Sequence, residues 1–160
     1  MTASKKRKQT HKGSPPQRHS KGLFLPMVAS DADAMILGVR IALESIRRQS
    51  SGRSEAVAMA QALLLTTYVT EAGHGALAIS ELTKAEVSLN RVLVKGAQTG
   101  DWTFPGDVVA GLAAIVNEHD RQLHEVRSGV ILQAMQCMRR LVDKAPDAVA
   151  GESICERPQG

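Results

Sequence analysis

Apolar residues recur three and four positions apart in four separate stretches of this chain, the spacing of helices that each bury one face. In the first stretch Met35, Val39, Ala42 and Ile46 form the stripe, with Ile36 and Leu43 beside it. Ser30 is of the N-cap type, and Asp31 and Asp33 place negative charge in the first turn, where the helix dipole favours it. Arg47 and Arg48 suit the opposite end, and Ser50-Ser51-Gly52 terminates the segment. A second helix is predicted from about Ser54, with Ala56, Met59, Ala60, Leu63 and Leu64 inward, stopping at Gly73-His74-Gly75. The third is predicted over residues 76–95, burying Ile79, Leu82, Leu89, Val92 and Leu93; Thr83-x-x-Glu86 offers a capping box that would move its start later.

The fourth stretch is the longest. Val109, Leu112, Val116, His119, Leu123, Val126 and Val130 keep the spacing, and Ala134, Met138 and Leu141 continue it. An unbroken helix over 107–144 would be roughly 57 Å long, against roughly 30 Å for a 20-residue neighbour. Either Gly129 bends it, or its end packs against another chain. This motivates self-association through Val130, Ala134, Met138 and Leu141. The fold class read from these patterns is all-α: a bundle of about four main helices with a long C-terminal one. No evenly spaced aromatic-rich strands point to a β-sandwich.

Flanking segments differ in kind. Residues 1–21 hold Lys5, Lys6, Arg7, Lys8, Lys12, Arg18 and Lys21, with no Asp or Glu. Taking these seven cations from the total of +4 leaves residues 22–160 at −3, so the basic character belongs to the arm and not to the body. With almost nothing to bury, such an arm is expected to stay disordered. Residues 22–29 carry Leu23, Phe24, Leu25, Met27 and Val28 and read as an apolar strap that docks on the domain; a partner-binding peptide is the alternative. The helical domain spans 22–144, and the polar residues 145–160 are expected to form a frayed tail.

Aromatics make up only 2% of the chain, namely Phe24, Tyr68, Trp102 and Phe104, so the core is aliphatic. Their scatter argues against a base-stacking platform. Trp102 reads as a plug between helices. Cys137 lies in a helical pattern and Cys155 in the tail, so both are expected as free thiols in a reducing cytoplasm. No apolar run approaches the roughly 20 residues of a membrane span, and no signal peptide fits the start; no membrane association is expected.

Catalytic and cofactor signatures are missing: no Gly-x-Gly-x-x-Gly, no phosphate-binding loop and no His-Glu-x-x-His. His119-Asp120 and His124 are the one cluster of ligand-type residues. Positions 119 and 124 lie about 140° apart around a helix, so they do not face one ligand. His119 falls on the apolar stripe and reads as a core histidine; neither metal nor cofactor is expected. A helix-turn-helix across Gly73-His74-Gly75 is a weak fit. Beyond Lys84, Asn90 and Arg91 its second helix offers few base-reading side chains, and its first is long and apolar.

Gly73-x-Gly75, Arg91 followed by Thr99-Gly100-x-Trp102, and His119-Asp120-x-Gln122-Leu123 carry a resemblance over about residues 69–123. There the chain resembles a group of short bacterial and phage proteins labelled Fis family transcriptional regulators. The resemblance covers roughly a third of the chain with short motifs. It implies a small helical protein of a bacterial or mobile-element genome, and it transfers no functional residue. A Fis-type protein ends in a helix-turn-helix, whereas residues after Asp107 read as one helix.

Charge and architecture together lead to a non-enzymatic nucleic-acid-associated or regulatory protein that binds phosphates non-specifically through Lys5, Lys6, Arg7, Lys8, Lys12, Arg18 and Lys21. The alternative is a structural or adaptor module with a protein partner, the arm being incidental.

Overall fold

In a computed structural model, which describes residues 21–144, the chain forms five α-helices, with no strand among the described residues. These are α1 (Ala29–Arg47), α2 (Arg53–Val69), α3 (Ile79–Thr99), α4 (Gly106–Glu125) and α5 (Ser128–Lys144). A 3-10 turn, Lys21–Phe24, precedes α1, and a π-type turn, Thr70–His74, follows α2. The all-α expectation holds for these residues. The tail 145–160, with Cys155, lies outside them.

Helix α2 is the hub and packs against α1, α3, α4 and α5. That position explains why it buries Ala62 and Leu65 as well as the Ala56, Met59 and Leu63 stripe. A helix surrounded by neighbours has no obligatory wet side. Ile36, Leu43 and Ile46 of α1, Leu82, Leu89 and Val92 of α3, and Leu112, Ile115, Val116 and Leu123 of α4 complete an aliphatic core around it.

Helix boundaries depart from the pattern where backbone groups do the work assigned to side chains. Val28, not Ser30, is the N-cap of α1: its carbonyl accepts from the Asp31 and Ala32 amides at 2.9 and 3.1 Å, and Ser30 lies inside the helix. Helix α3 starts at Ile79 and not at residue 76, with the Ala78 amide donating to the Glu81 carboxylate at 3.2 Å. Thr83 caps nothing; its hydroxyl donates to the Ile79 carbonyl within the helix. Trp102 lies against Gly96 of α3, so closely that a Cβ there would stand 2.3 Å from the ring. Its carbonyl accepts from Ser51 Oγ at 3.2 Å, which ties the α3–α4 connector to the α1–α2 turn.

The single long helix over 107–144 is not found. Val126 takes an extended conformation (φ −85°, ψ 143°), and α5 begins at Ser128, so the break falls three residues before Gly129. The cause is the chain segment ahead of α1, which crosses this junction. Leu25 O accepts from the Ser128 amide at 2.8 Å, Gly22 O accepts from Ser128 Oγ at 2.8 Å, and Pro26 forms an isolated antiparallel bridge with Arg127. Released from α4, helix α5 turns onto α2 and buries Ile131 and Ala134. The excess length that motivated a partner chain at this end therefore does not exist.

Candidate functional site

Among the described residues, the buried polar groups Glu118, His119 and Gln122 converge on α4, in a seam facing the end of α2. Glu118 is only 5% exposed, and its carboxylate accepts from Arg121 Nε at 3.0 Å, Arg121 Nη2 at 2.7 Å, Gln122 Nε2 at 3.2 Å and the Ala76 amide at 2.8 Å. Arg121 reaches in the same fork to the His74 carbonyl and to Glu125, each at 2.7 Å. The Arg121 guanidinium, opposed by desolvation and aided by the Ala76 amide, holds the Glu118 carboxyl below its ordinary value. The same pairing raises the affinity of Arg121 for its proton. Together they fix the backbone on either side of Gly75, where the turn after α2 leads out, a turn that needs Gly73 at φ +90°.

Deeper in the seam, Gln122 is fully buried and donates to Thr70 Oγ1 at 3.0 Å and to the Thr66 carbonyl at 3.4 Å. Its Oε1 has no partner among the described residues. His119, 3% exposed, sets Nδ1 at 3.4 Å from Thr66 Oγ1. Burial pushes its pKa down to about 4, so the ring is neutral near pH 7. The Gly73-x-Gly75 and His119-Asp120-x-Gln122-Leu123 motifs thus meet in space, and the polar groups of the seam hold the turn in place.

His124 points the other way, as the helical angle requires. It lies in the open α1–α4 groove, with Nε2 at 3.1 Å from Asp33 and Nδ1 at 2.9 Å from the Asp120 carbonyl. The carbonyl and the carboxylates of Asp33 and Asp120 raise its pKa. Asp120 also pairs with Arg40 of α1. Among the described residues no three His, Cys, Asp or Glu side chains come together to hold a metal ion.

Of the predicted phosphate-binding cations, Lys5, Lys6, Arg7, Lys8, Lys12 and Arg18 lie outside the described residues, and Lys21 opens the 3-10 turn tied to Ser128. Along α5, Ala134 is buried while Val130, Met138 and Leu141 are half-buried, with Val130 and Met138 packed on the chain's own core. Sequence reasoning missed Glu118, Arg121 and Ser128. The spacing Glu118-x-x-Arg121-x-x-x-Glu125 was legible as a helical ion-pair pattern. Its long-range partners, the His74 carbonyl and the Ala76 amide, leave no trace in side-chain identity. No helix of the described residues is long and apolar enough to cross a membrane. The chain matches no family model, and no curated protein or solved structure is detectably similar to it.

Proposed function

We propose that this is a non-enzymatic, nucleic-acid-associated helical protein of the cytoplasm, acting in regulation. It holds phosphates through the cations of residues 1–21. The observation that carries the reading is the charge division. Seven cations with no carboxylate precede a body of net charge −3, so they have no acidic neighbour within their own segment to neutralise them. The docked turn Lys21–Phe24 supports it by rooting the arm at the α4–α5 junction, beside the exposed Arg127. The polar seam supports the non-enzymatic part, because Glu118, Arg121 and Gln122 are engaged in holding a turn.

Phosphate neutralisation is blind to base sequence, so binding is weak, poorly selective and steeply salt-dependent. Fluorescence anisotropy with duplex DNA tests this. The log–log slope against salt should be no steeper than about −6, roughly 0.9 for each of seven contacts. Replacing the seven cations by Gln should abolish binding and leave the helical circular dichroism spectrum unchanged. Tight binding of one DNA sequence by that variant would place recognition on the body. Absence of binding by the unmodified chain at low salt would overturn the reading in favour of a protein partner.

A further inference from the structure

Helix α1 carries apolar residues on two faces. Ile36, Leu43 and Ile46 are buried in the core, yet Leu37 and Ile41 remain 57% and 58% exposed. Four positions of an α-helix turn the chain through about 400°, so these two lie about 40° apart on one face, one turn from each other. Ala34, also exposed, falls within about 60° of Leu37 on the same side. A surface helix needs only its inward stripe, so this outward one calls for another cause. The other exposed apolar residues of the described helices do not adjoin in this way. Ile79, Val87 and Val94 of α3 stand about two turns apart, and Val57 of α2 and Leu132 of α5 are single.

The two ends of the face carry opposite charge. Asp31 and Asp33 stand near the N-terminus of α1, with no Lys or Arg in the helix before Arg40. Arg47 and Arg48 close it and share one carboxylate, Glu44, at 3.9 and 2.8 Å, which leaves that end positive. Eleven positions beyond Leu37, Arg48 falls about 20° from it around the axis, between Leu37 and Ile41, so the cation borders the same face.

We propose that this face is the contact between two copies of the chain, with α1 packed antiparallel on α1 about a two-fold axis level with Val39. Such a contact is self-complementary, each residue meeting the other copy twice over. Leu37 then lies against the other copy's Ile41 in both halves, and each Arg48 meets the end of α1 that carries Asp31 and Asp33 in the other. A parallel pairing sets each charged end against its own like. A nucleic acid or an anionic bilayer is repelled by Asp31, Asp33 and Glu44, whereas a second copy supplies both the apolar cover and the opposite charge. One helix face covers less than the roughly 800 Å² per partner of a standard interface, so the dimer is weak and reversible. It goes beyond the nucleic-acid reading and uses none of the cations assigned to it.

Sedimentation equilibrium of the full chain is the test. Monomer and dimer should exchange with a dissociation constant of roughly tens of micromolar, as a small interface allows. The variant Leu37→Ser/Ile41→Ser should weaken the dimer at least about tenfold, because the apolar centre of the contact is lost in both copies. Both residues are exposed in the single chain, so its circular dichroism spectrum should match the unmodified one. Arg48→Glu should weaken the dimer by setting like charges together, and Asp31→Lys/Asp33→Lys should do the same. An equimolar mixture of these two charge variants should dimerise better than either alone, since opposite charges then meet at both ends of the mixed pair. A monomer at about 200 µM overturns the proposal, as does a dimer that the double-serine variant leaves intact. Charge variants whose mixture fails to recover overturn it too. A monomer whose affinity for duplex DNA falls in the double-serine variant assigns the face to nucleic acid and also overturns it.

Discussion

Gly129 lies directly under the backbone carbonyl of Leu23: a Cβ built on it would stand 2.9 Å from that oxygen. Helix α5 can begin beneath the docked segment only because this position has no side chain. Gly38 in the middle of α1 is the opposite case, with nothing within 4 Å of a Cβ. Replacing an interior helical Gly by Ala normally stabilises a protein by roughly 0.5–1 kcal/mol. Gly38→Ala should show that gain in urea denaturation. Gly129→Ala should instead lower stability by about 1 kcal/mol. It should also speed amide exchange at Ser128, whose amide donates to Leu25 O at 2.8 Å.

The Glu118–Arg121 pair predicts a larger effect. Arg121→Met keeps the aliphatic stem and strips the guanidinium, which leaves a 5%-exposed carboxylate with only the Ala76 amide and Gln122 as partners. Breaking a buried pair from one side costs about 3–5 kcal/mol, and the partial exposure of Arg121 puts this case at the low end. Glu118→Gln combined with Arg121→Met should recover part of the loss, since no buried charge is then orphaned. A double-mutant cycle in chemical denaturation measures the coupling. Additive losses would mean that the two groups hold the turn independently.

Helix existence was legible in the sequence because each apolar stripe is a local property. Met59, Leu82, Leu89, Leu112 and Leu123 all lie where the three-and-four spacing puts a buried residue, and all are buried. The break at Val126 was not legible. Val126 and Val130 keep the stripe, and what interrupts the helix is a segment a hundred residues earlier meeting Ser128. The α1 and α3 starts were misplaced for a related reason. Val28 caps through a backbone carbonyl that every residue carries, and at Ala78 the one side-chain trace is Glu81 three residues on, without the hydroxyl or carboxamide that usually precedes it. His119 was readable as an inward residue from its place between Val116 and Leu123. Its Thr66 partner was not, since nothing in either stretch fixes the register of α4 against α2.

The end of α1 stores a correctable strain. Gln49 sits at φ +56° just beyond the helix, and the Ser50 amide donates across it to the Ser45 carbonyl at 3.0 Å. This is the left-handed closing position where glycine is favoured, because a side chain there crowds the carbonyl. Gln49→Gly should raise stability by about 1 kcal/mol, less the entropy glycine adds to the unfolded chain. Thermal melting reads it directly. A lower melting temperature would mean that the Gln49 side chain makes a contact that outweighs the strain.

Burial of His119 predicts that the fold loses stability in mild acid. Burial lowers its pKa to about 4 from an ordinary value near 6.5, and the nearby Asp120 carboxylate opposes the shift only in part. A depressed folded-state pKa means that above pH 6.5 both states are neutral here and the group contributes no pH dependence. Between 6.5 and 4 the unfolded chain takes up a proton that the folded chain refuses, so stability falls with pH across that window. At about 1.36 kcal/mol per pH unit the loss approaches roughly 3 kcal/mol at pH 4. His124 works in the reverse sense, because Asp120 and Asp33 raise its pKa: its contribution is full at low pH and is lost as pH rises through its folded value. Its exposure leaves it screened by solvent, so the His119 slope dominates. Glu118 adds acid sensitivity only below its ordinary value of 4.5, since its folded pKa is lowered. Replacing His119 by Leu should therefore flatten the stability profile between pH 6.5 and 4.5 and keep the helical spectrum. The Thr66 hydroxyl, which can rotate to another acceptor, does not require the imidazole. Urea midpoints of both proteins at half-unit intervals of pH decide the matter. An undiminished slope in the His119→Leu variant would move the acid sensitivity to the carboxylates.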